Sequence, residues 1–155
     1  MIINGRNPTT ADTVHVPYLW QKLTQMTKEI KIDGNNFSTL TEFYDEIEKK
    51  LTNGLDWKIG RNLDTFNDVL NGRFGVHDYE EAIKLRWENS AKSKRDLGQK
   101  STVKFIQEKL TTCHPANISS VRSDLEDAKS GKGQMLFEII ADITRGHGHI
   151  QLDLQ

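Results

Sequence analysis

The chain has 155 residues, of which 35% are hydrophobic and 28% charged, a composition typical of one globular domain with a proper core. Its formal charge of −1 gives no overall field that would favour nucleic acid or a membrane surface, so any electrostatic recognition must be local. Cys113 is the only cysteine, which excludes an intrachain disulfide and suits a reducing compartment. The sequence has no apolar run of roughly 20 residues and no signal-peptide pattern at its start. We therefore expect a cytoplasmic protein.

Residues 1–28 are predicted to form an N-terminal extension. From Pro17 the apolar side chains recur at helical spacing, with proline in the first turn, at Tyr18, Leu19, Trp20, Leu23 and Met26. This pattern favours a helix packed on the edge of the domain. The alternative is an arm that binds a partner or a second copy of the chain.

The segments that follow predict a strand and then a helix. Residues 28–34 alternate polar and apolar side chains and end in glycine, as strands often do. Thr39 and Glu42 have the spacing of a capping box, and an apolar stripe begins there, at Leu40, Phe43, Ile47 and Leu51. Trp57, in the linker after this helix, is either a lid on the core or a contact residue.

The second half of the chain repeats this alternation. Strands are predicted over 82–87 and 149–154. Between them we expect a short helix capped by Asn89, a helix over 101–110, a polar loop with a short helix around 121–128, and a strong helix over 134–145. Parallel strands need crossovers of a dozen or more residues, and both gaps between strands are long enough. The order predicts an α/β fold with a small three-stranded parallel sheet packed by helices.

The segment from Gly60 to Gly72 is the most informative part of the chain. Asn62 is a suitable N-cap, and glycine at position 72 is typical of the residue just past a helix end. An apolar stripe faces the core in between, at Leu63, Phe66 and Leu70.

Two carboxylates on this helix lack a local structural explanation. Asp64 and Asp68 are four residues apart, a spacing at which like charges destabilise a helix by roughly 0.2–0.5 kcal/mol. Asp64 suits the positive end of the helix dipole, but Asp68 lies a turn further along, with no lysine or arginine on the helix to neutralise it. The pair is either a solvated acidic face or a site for a cationic partner.

The motif Gly60-x-Asn62-Leu63-Asp64-x-x-x-Asp68-x-Leu70-x-Gly72 resembles the barstar family of ribonuclease inhibitors. The resemblance covers most of residues 29–154, and Trp87 falls where the family's central strand carries a tryptophan. Residues 99–132 are longer than in compact members. The division it implies is an extension over 1–28 and a barstar-like domain over 29–155 with an insertion over 99–132.

The resemblance implies an immunity-type inhibitor whose acidic helix plugs a ribonuclease active site and mimics RNA phosphates. Asp68 matches the acid that enters the phosphate pocket, Asp64 a second acidic contact, and Asn62 the cap at the loop–helix junction. Asn71 and Gly72 match the end of the contact helix, and Asp142 matches a further acidic contact on the last long helix. No catalytic residue, cofactor, metal, membrane or direct nucleic-acid contact is implied.

The surrounding positions depart from the family's pattern. Arg61 replaces an acid, and Asn67 and Arg73 replace aromatics. The loop before Gly60 is about two residues longer, so Trp57 and Lys58 compete for the place of the contact aromatic. These departures leave a second possibility open, in which the same fold serves as an immunity or binding protein for a different toxin or a housekeeping partner.

A metal-dependent hydrolase is the less favoured alternative. Paired carboxylates can act as acid and base when burial raises one pKa, but Arg61 beside them would keep both ionised. His147 and His149 could form part of a metal site, although their spacing is more typical of a polar turn between a helix and a strand. The sequence has no phosphate-binding glycine loop or nucleophile motif.

Overall fold

The computed structural model describes residues 27–52 and 54–155. The helix predicted from Pro17 lies outside this range. In chain order the elements are β1 (Lys28–Asp33), α1 (Leu40–Leu51), α2 (Leu63–Asn71), β2 (Ile83–Glu88), α3 (Ser90–Asp96), α4 (Gln99–Thr112), α5 (Ile118–Lys129), α6 (Leu136–Arg145) and β3 (Ile150–Leu154), with short 3-10 turns at Gly34–Asn36 and Pro115–Asn117.

The three strands form one parallel sheet in the order β1-β2-β3, which places β2 at the centre. Leu85 of β2 lies level with Ile30 of β1 and with Leu152 of β3. Burial alternates along β2, so one face of the sheet is packed more deeply than the other. The predicted α/β fold with a three-stranded parallel sheet is confirmed.

Trp87, at the end of the central strand, organises the main core. Its ring stacks on Phe43 of α1 at a centroid distance of 5.7 Å and packs on Phe137 of α6 at 5.0 Å. Its buried Nε1–H donates to the Ser93 hydroxyl at 3.0 Å, so the indole carries no unpaired donor. Phe43 also contacts Phe66 of α2 at 5.4 Å, edge to face. The helix that carries the carboxylate pair is therefore anchored to the main core.

The helix starts differ in how well the sequence predicted them. The capping box at α1 is confirmed: the Thr39 hydroxyl accepts from the Glu42 N–H, and the Glu42 carboxylate accepts from the Thr39 N–H. The cap predicted at α3 is wrong. Asn89 has a left-handed backbone (φ +55°) and makes no side-chain cap, because its amide donates to the Asp33 carboxylate at 2.8 Å.

Residues 99–132 form a helical hairpin. The short helix expected around 121–128 is longer at both ends, running over Ile118–Lys129 as α5. It packs on α4 through a small second core of its own, formed by Ile106, Val121, Leu125 and Ala128. No helix within the described residues is both long enough and apolar enough to cross a membrane.

Candidate functional site

Helix α2 begins and faces the core as the sequence predicts. The Asn62 side-chain oxygen accepts from the Thr65 N–H at 2.7 Å, which satisfies one of the unpaired donors of the first turn. Phe66, Val69 and Leu70 are buried on the inner side of the helix. The opposite side is left to solvent.

We expect Asn62→Ala to destabilise the protein by about 0.5–2 kcal/mol, because it removes the cap of α2. Asn62→Asp keeps an acceptor at the same place and serves as the matched control. Urea unfolding of both variants gives the comparison. Equal stability of Asn62→Ala and wild type would show that the cap contributes nothing.

Asp64 and Asp68 project from the exposed side of α2. Neither carboxylate forms a hydrogen bond or an ion pair with any residue of 27–52 or 54–155. Side chains four residues apart on a helix stack on one face, with Cβ atoms about 5–6 Å apart. The structure thus presents two unpaired negative charges to solvent, one turn apart, on a helix fixed at its inner side.

Arg61, the residue before the cap of α2, does not pair with either carboxylate of this helix. Its guanidinium forms an ion pair with Asp45 of α1, and it also donates to the Thr41 carbonyl at 3.1 Å. The arginine therefore ties the loop before α2 to α1. The acidic face therefore receives no ion pair from this arginine.

The hydroxyl of Tyr44, on α1, interacts electrostatically with the Asp64 carboxylate. Burial and, second to it, the Asp64 charge raise the pKa of the Tyr44 hydroxyl to about 12. Tyr44 therefore remains neutral over the physiological pH range. It adds a polar but uncharged wall beside the first carboxylate.

The loop before α2 places Trp57 and Lys58 in solvent and anchors Ile59 in the core. Trp57 is 54% exposed, so it is not a lid on the core. Its ring meets Phe74, just after α2, edge to face at 6.3 Å. Arg73 lies over the exposed ring of Tyr79 at 4.1 Å. The sequence did not single out Tyr79, because an isolated tyrosine in a polar loop carries no periodic signal.

The end of α2 is held by backbone and histidine contacts. The Asn71 carbonyl accepts from the Glu80 N–H at 2.8 Å, and Gly72 adopts φ +97° and ψ −169°. The side-chain oxygen of Asn67 meets His147 Nε2 at 2.9 Å. His147 and His149 are thus hydrogen-bonded to the helix, and no group of three or more metal-binding side chains occurs within the described residues.

Asp142 differs from the two carboxylates of α2 because it already has partners. It pairs with Arg145, one turn further along α6, at 3.1 Å, and it accepts a hydrogen bond from the Gln134 amide. Its side chain is 57% exposed. A partner that recruited Asp142 would first have to compete with these contacts.

A groove of about 1310 Å³ opens beside the start of α2. One wall contains Asn62, Leu63 and Asp64, and the other is formed by α4 with Lys100 and Lys104. Neither lysine forms an ion pair with another described residue. Asp64 therefore borders a basic wall, because Glu108 is the single acid that α4 adds to this lining beside Lys100, Lys104 and Lys109.

Comparison with known proteins gives one family match. No curated protein matches the chain. A family model described as Barstar (barnase inhibitor) matches residues 27–111, a span that holds β1, the whole of α2, the central strand and nearly all of α4. This span is more than half of the 155 residues. The chain therefore belongs to the barstar family, whose members are inhibitors that bind ribonucleases and are not enzymes.

Proposed function

We propose that this protein inhibits a ribonuclease by inserting the acidic face of α2 into the enzyme's active site. The observation that carries the proposal is the pair Asp64 and Asp68, exposed and unpaired on a helix whose other side is buried. An isolated helix of nine residues would unwind and separate these charges. Here the packed backbone stays helical and keeps both carboxylates on one face, available to a cationic pocket.

The chemistry of a ribonuclease site supports the match. Such a site gathers cationic side chains to hold phosphate and the charge that develops on it. A carboxylate can replace phosphate oxygens there and accept charge-assisted hydrogen bonds, in a bidentate manner from arginine. Asp68 would occupy the phosphate pocket and Asp64 would meet a neighbouring cation. Inhibition would be steric, with no covalent step and no cofactor.

We expect the other predicted contact residues to surround Asp64 and Asp68 in the complex. Trp57 and Lys58 border it on the loop before α2, and Asn62 fixes the start of the helix. Asn67, Asn71 and Gly72 support its last turn, and Asp142 would join only after leaving Arg145. In this proposal the protein acts as a cytoplasmic immunity protein that protects the cell from a ribonuclease toxin.

A capture experiment from the native host tests the proposal. Tagged wild-type protein should retain a ribonuclease, and adding the purified inhibitor to that enzyme should abolish its activity at a 1:1 ratio. Asp64→Ala/Asp68→Ala should retain none. Capture of the same enzyme by both forms, or capture without inhibition, would contradict the active-site plug.

We expect the association rate to depend only weakly on salt. Long-range steering scales with the summed charge, and the net charge is only −1. The association rate is measured by stopped-flow mixing at several salt concentrations up to about 0.5 M. At the highest concentration the Debye length is well below its value of roughly 10 Å at 0.1 M, so long-range attraction is screened. A steep fall in rate over this range would show that the local acidic face dominates encounter despite the overall charge.

One observation favours a partner that differs from the enzymes of compact family members. The basic wall of α4, with Lys100 and Lys104, borders the acidic face, and Arg73 on Tyr79 follows its end. A partner whose whole rim is cationic would be repelled there. The second candidate is therefore an immunity protein for another toxin, with acidic residues around a cationic pocket. A toxin gene beside this one would identify it.

A further inference from the structure

Three of the five histidines of the chain meet at the C-terminal end of α2. His77 and His149 place Nε2 at 3.1 and 2.9 Å from the Leu70 carbonyl oxygen. His147 places Nε2 at 2.9 Å from the Asn67 side-chain oxygen. Two of the rings come from the turn between α6 and β3 and one from the loop after α2. The cluster thus joins three parts of the chain to one helix end.

The acceptors determine which protons these rings carry. A carbonyl oxygen can only accept, so each Nε2 must donate, and in the neutral ring Nδ1 is then the unprotonated nitrogen. The Leu70 carbonyl belongs to the last turn of α2, where the helix offers it no N–H. The two imidazoles supply the missing donors. The cluster therefore supplies Nε2–H donors to the Leu70 carbonyl and to the Asn67 side chain.

Protonating His147 is unfavourable for reasons visible in the packing. The His147 and His149 rings are 5.6 Å apart, and the His77 and His149 rings 6.4 Å apart. His77 is 3% exposed, and its Nδ1 has no hydrogen-bond partner among the described residues. Burial, and next the proximity of His149, lowers the pKa of His147.

Charged groups nearby offset this only in part. Glu81, in the loop after α2, is a neighbouring carboxylate, and the Asp78 N–H and then Lys28 of β1, at 3.4 Å, lower its pKa. Arg145, on α6 before the turn, is paired with Asp142. Asp68 follows Asn67 on α2 and points its charge at solvent.

We propose that His77, His147 and His149 are positioning residues for the contact helix and that His147 makes inhibition proton-linked. The three rings hold the residues on either side of Asp68 in the geometry that a partner meets. A partner that brings cations to Asp68 places positive charge beside His147 and so opposes its protonation. Binding therefore releases protons, and affinity falls as the pH falls. This inference rests on the proposed function.

The direction of the pH dependence follows from the difference in proton binding between the folded and the unfolded chain. The pKa of His147 is lowered on folding, so the unfolded chain binds more protons and the folded state loses stability as the pH falls below about 6.5. A cationic partner acts on the same residue in the same direction. Both the free energy of unfolding and the affinity are thus expected to fall between pH 7.5 and 5.0.

The test compares His147→Gln with His147→Ala in the full-length protein. Glutamine keeps an N–H donor for the Asn67 oxygen but does not titrate, whereas alanine loses both properties. Dissociation constants for the captured ribonuclease are measured at pH 7.5 and 5.0. Titration of the enzyme itself cancels, because all forms meet the same enzyme. Unfolding of each free protein is measured at the same two pH values.

We expect wild type to lose about threefold or more affinity beyond any loss shown by His147→Gln, since one pKa unit corresponds to tenfold. His147→Ala should bind more weakly at both pH values. Wild type should also lose more stability in acid than His147→Gln. Parallel pH profiles in both measurements would overturn the inference. Failure to bind any ribonuclease would instead refute the proposed function, and the unfolding profiles would still decide the role of the cluster.

Discussion

Asp68→Ala is expected to weaken binding of the cognate ribonuclease by about 2 kcal/mol or more, which is the usual threshold for an interface hot spot. An inhibitor–nuclease pair of this same family is one of the known examples of such hot spots, so the magnitude is taken from the general rule. The physical reason is that a buried cationic pocket loses the anion that compensates it, and the unpaired charge left behind costs more than the lost contact alone. Calorimetric titration of the captured enzyme gives the measurement.

The same variant is expected to fold at least as well as wild type. Asp68 has no partner within the described residues, and its removal relieves the repulsion from Asp64, which is worth about 0.2–0.5 kcal/mol. Asp124→Ala, an exposed acid on α5, is the matched control because it changes the net charge equally. If both variants lost the same affinity, net charge and not the position of Asp68 would explain binding.

The sequence predicted the fold well where local chemistry and tertiary packing agree. The capping box at Thr39, the Asn62 cap and the alternation along β2 each have a short-range cause, and the structure confirms them. Asn89 does not cap α3, because its side chain donates a hydrogen bond to Asp33, a residue that is distant in the sequence. The predicted length of α5 was too short, because its apolar residues are sparse and face only a small second core.

The same distinction between local and tertiary causes applies to the candidate site. The spacing of Asp64 and Asp68 is a property of the helix and could be predicted. The direction of Arg61 could not, since its ion pair with Asp45 depends on how α1 and α2 pack. The histidine cluster also escaped prediction: His77 and His149 are far apart in sequence and meet only at Leu70. Nothing in the local sequence around His77 indicates that contact.

Gly72→Ala is expected to be the most damaging single substitution at the site for stability. Its φ of +97° with ψ of −169° lies in a region that only glycine occupies readily, at a cost of order 1–3 kcal/mol for other residues. A Cβ atom there would lie 2.1 Å from the Asp78 carbonyl oxygen and 3.0 Å from Tyr79 Cα. Because these are backbone atoms, the loop after α2 must move, and overpacking adds about 1–3 kcal/mol.

Two other glycines separate these causes. Gly54 has a similar φ of +99°, but a Cβ atom added there would meet no described atom within 4 Å, so Gly54→Ala should show backbone strain alone. Gly148 has neither a positive φ nor a close neighbour, so Gly148→Ala should change little. Urea unfolding is expected to rank the losses as Gly72→Ala, then Gly54→Ala, then Gly148→Ala. Equal losses at positions 72 and 54 would show that the contact with Asp78 does not constrain the helix end.

The loss at Gly72 should extend to binding, because the displaced loop carries His77, which holds the Leu70 carbonyl two residues after Asp68. We expect Gly72→Ala to bind the ribonuclease more weakly even at a temperature where it is fully folded, whereas Gly54→Ala, before α2, should not share this defect. A folded Gly72→Ala protein with wild-type affinity would mean that the helix end can shift without moving the carboxylate. The rigidity of the acidic face would then come from the buried Phe66 and Leu70 alone.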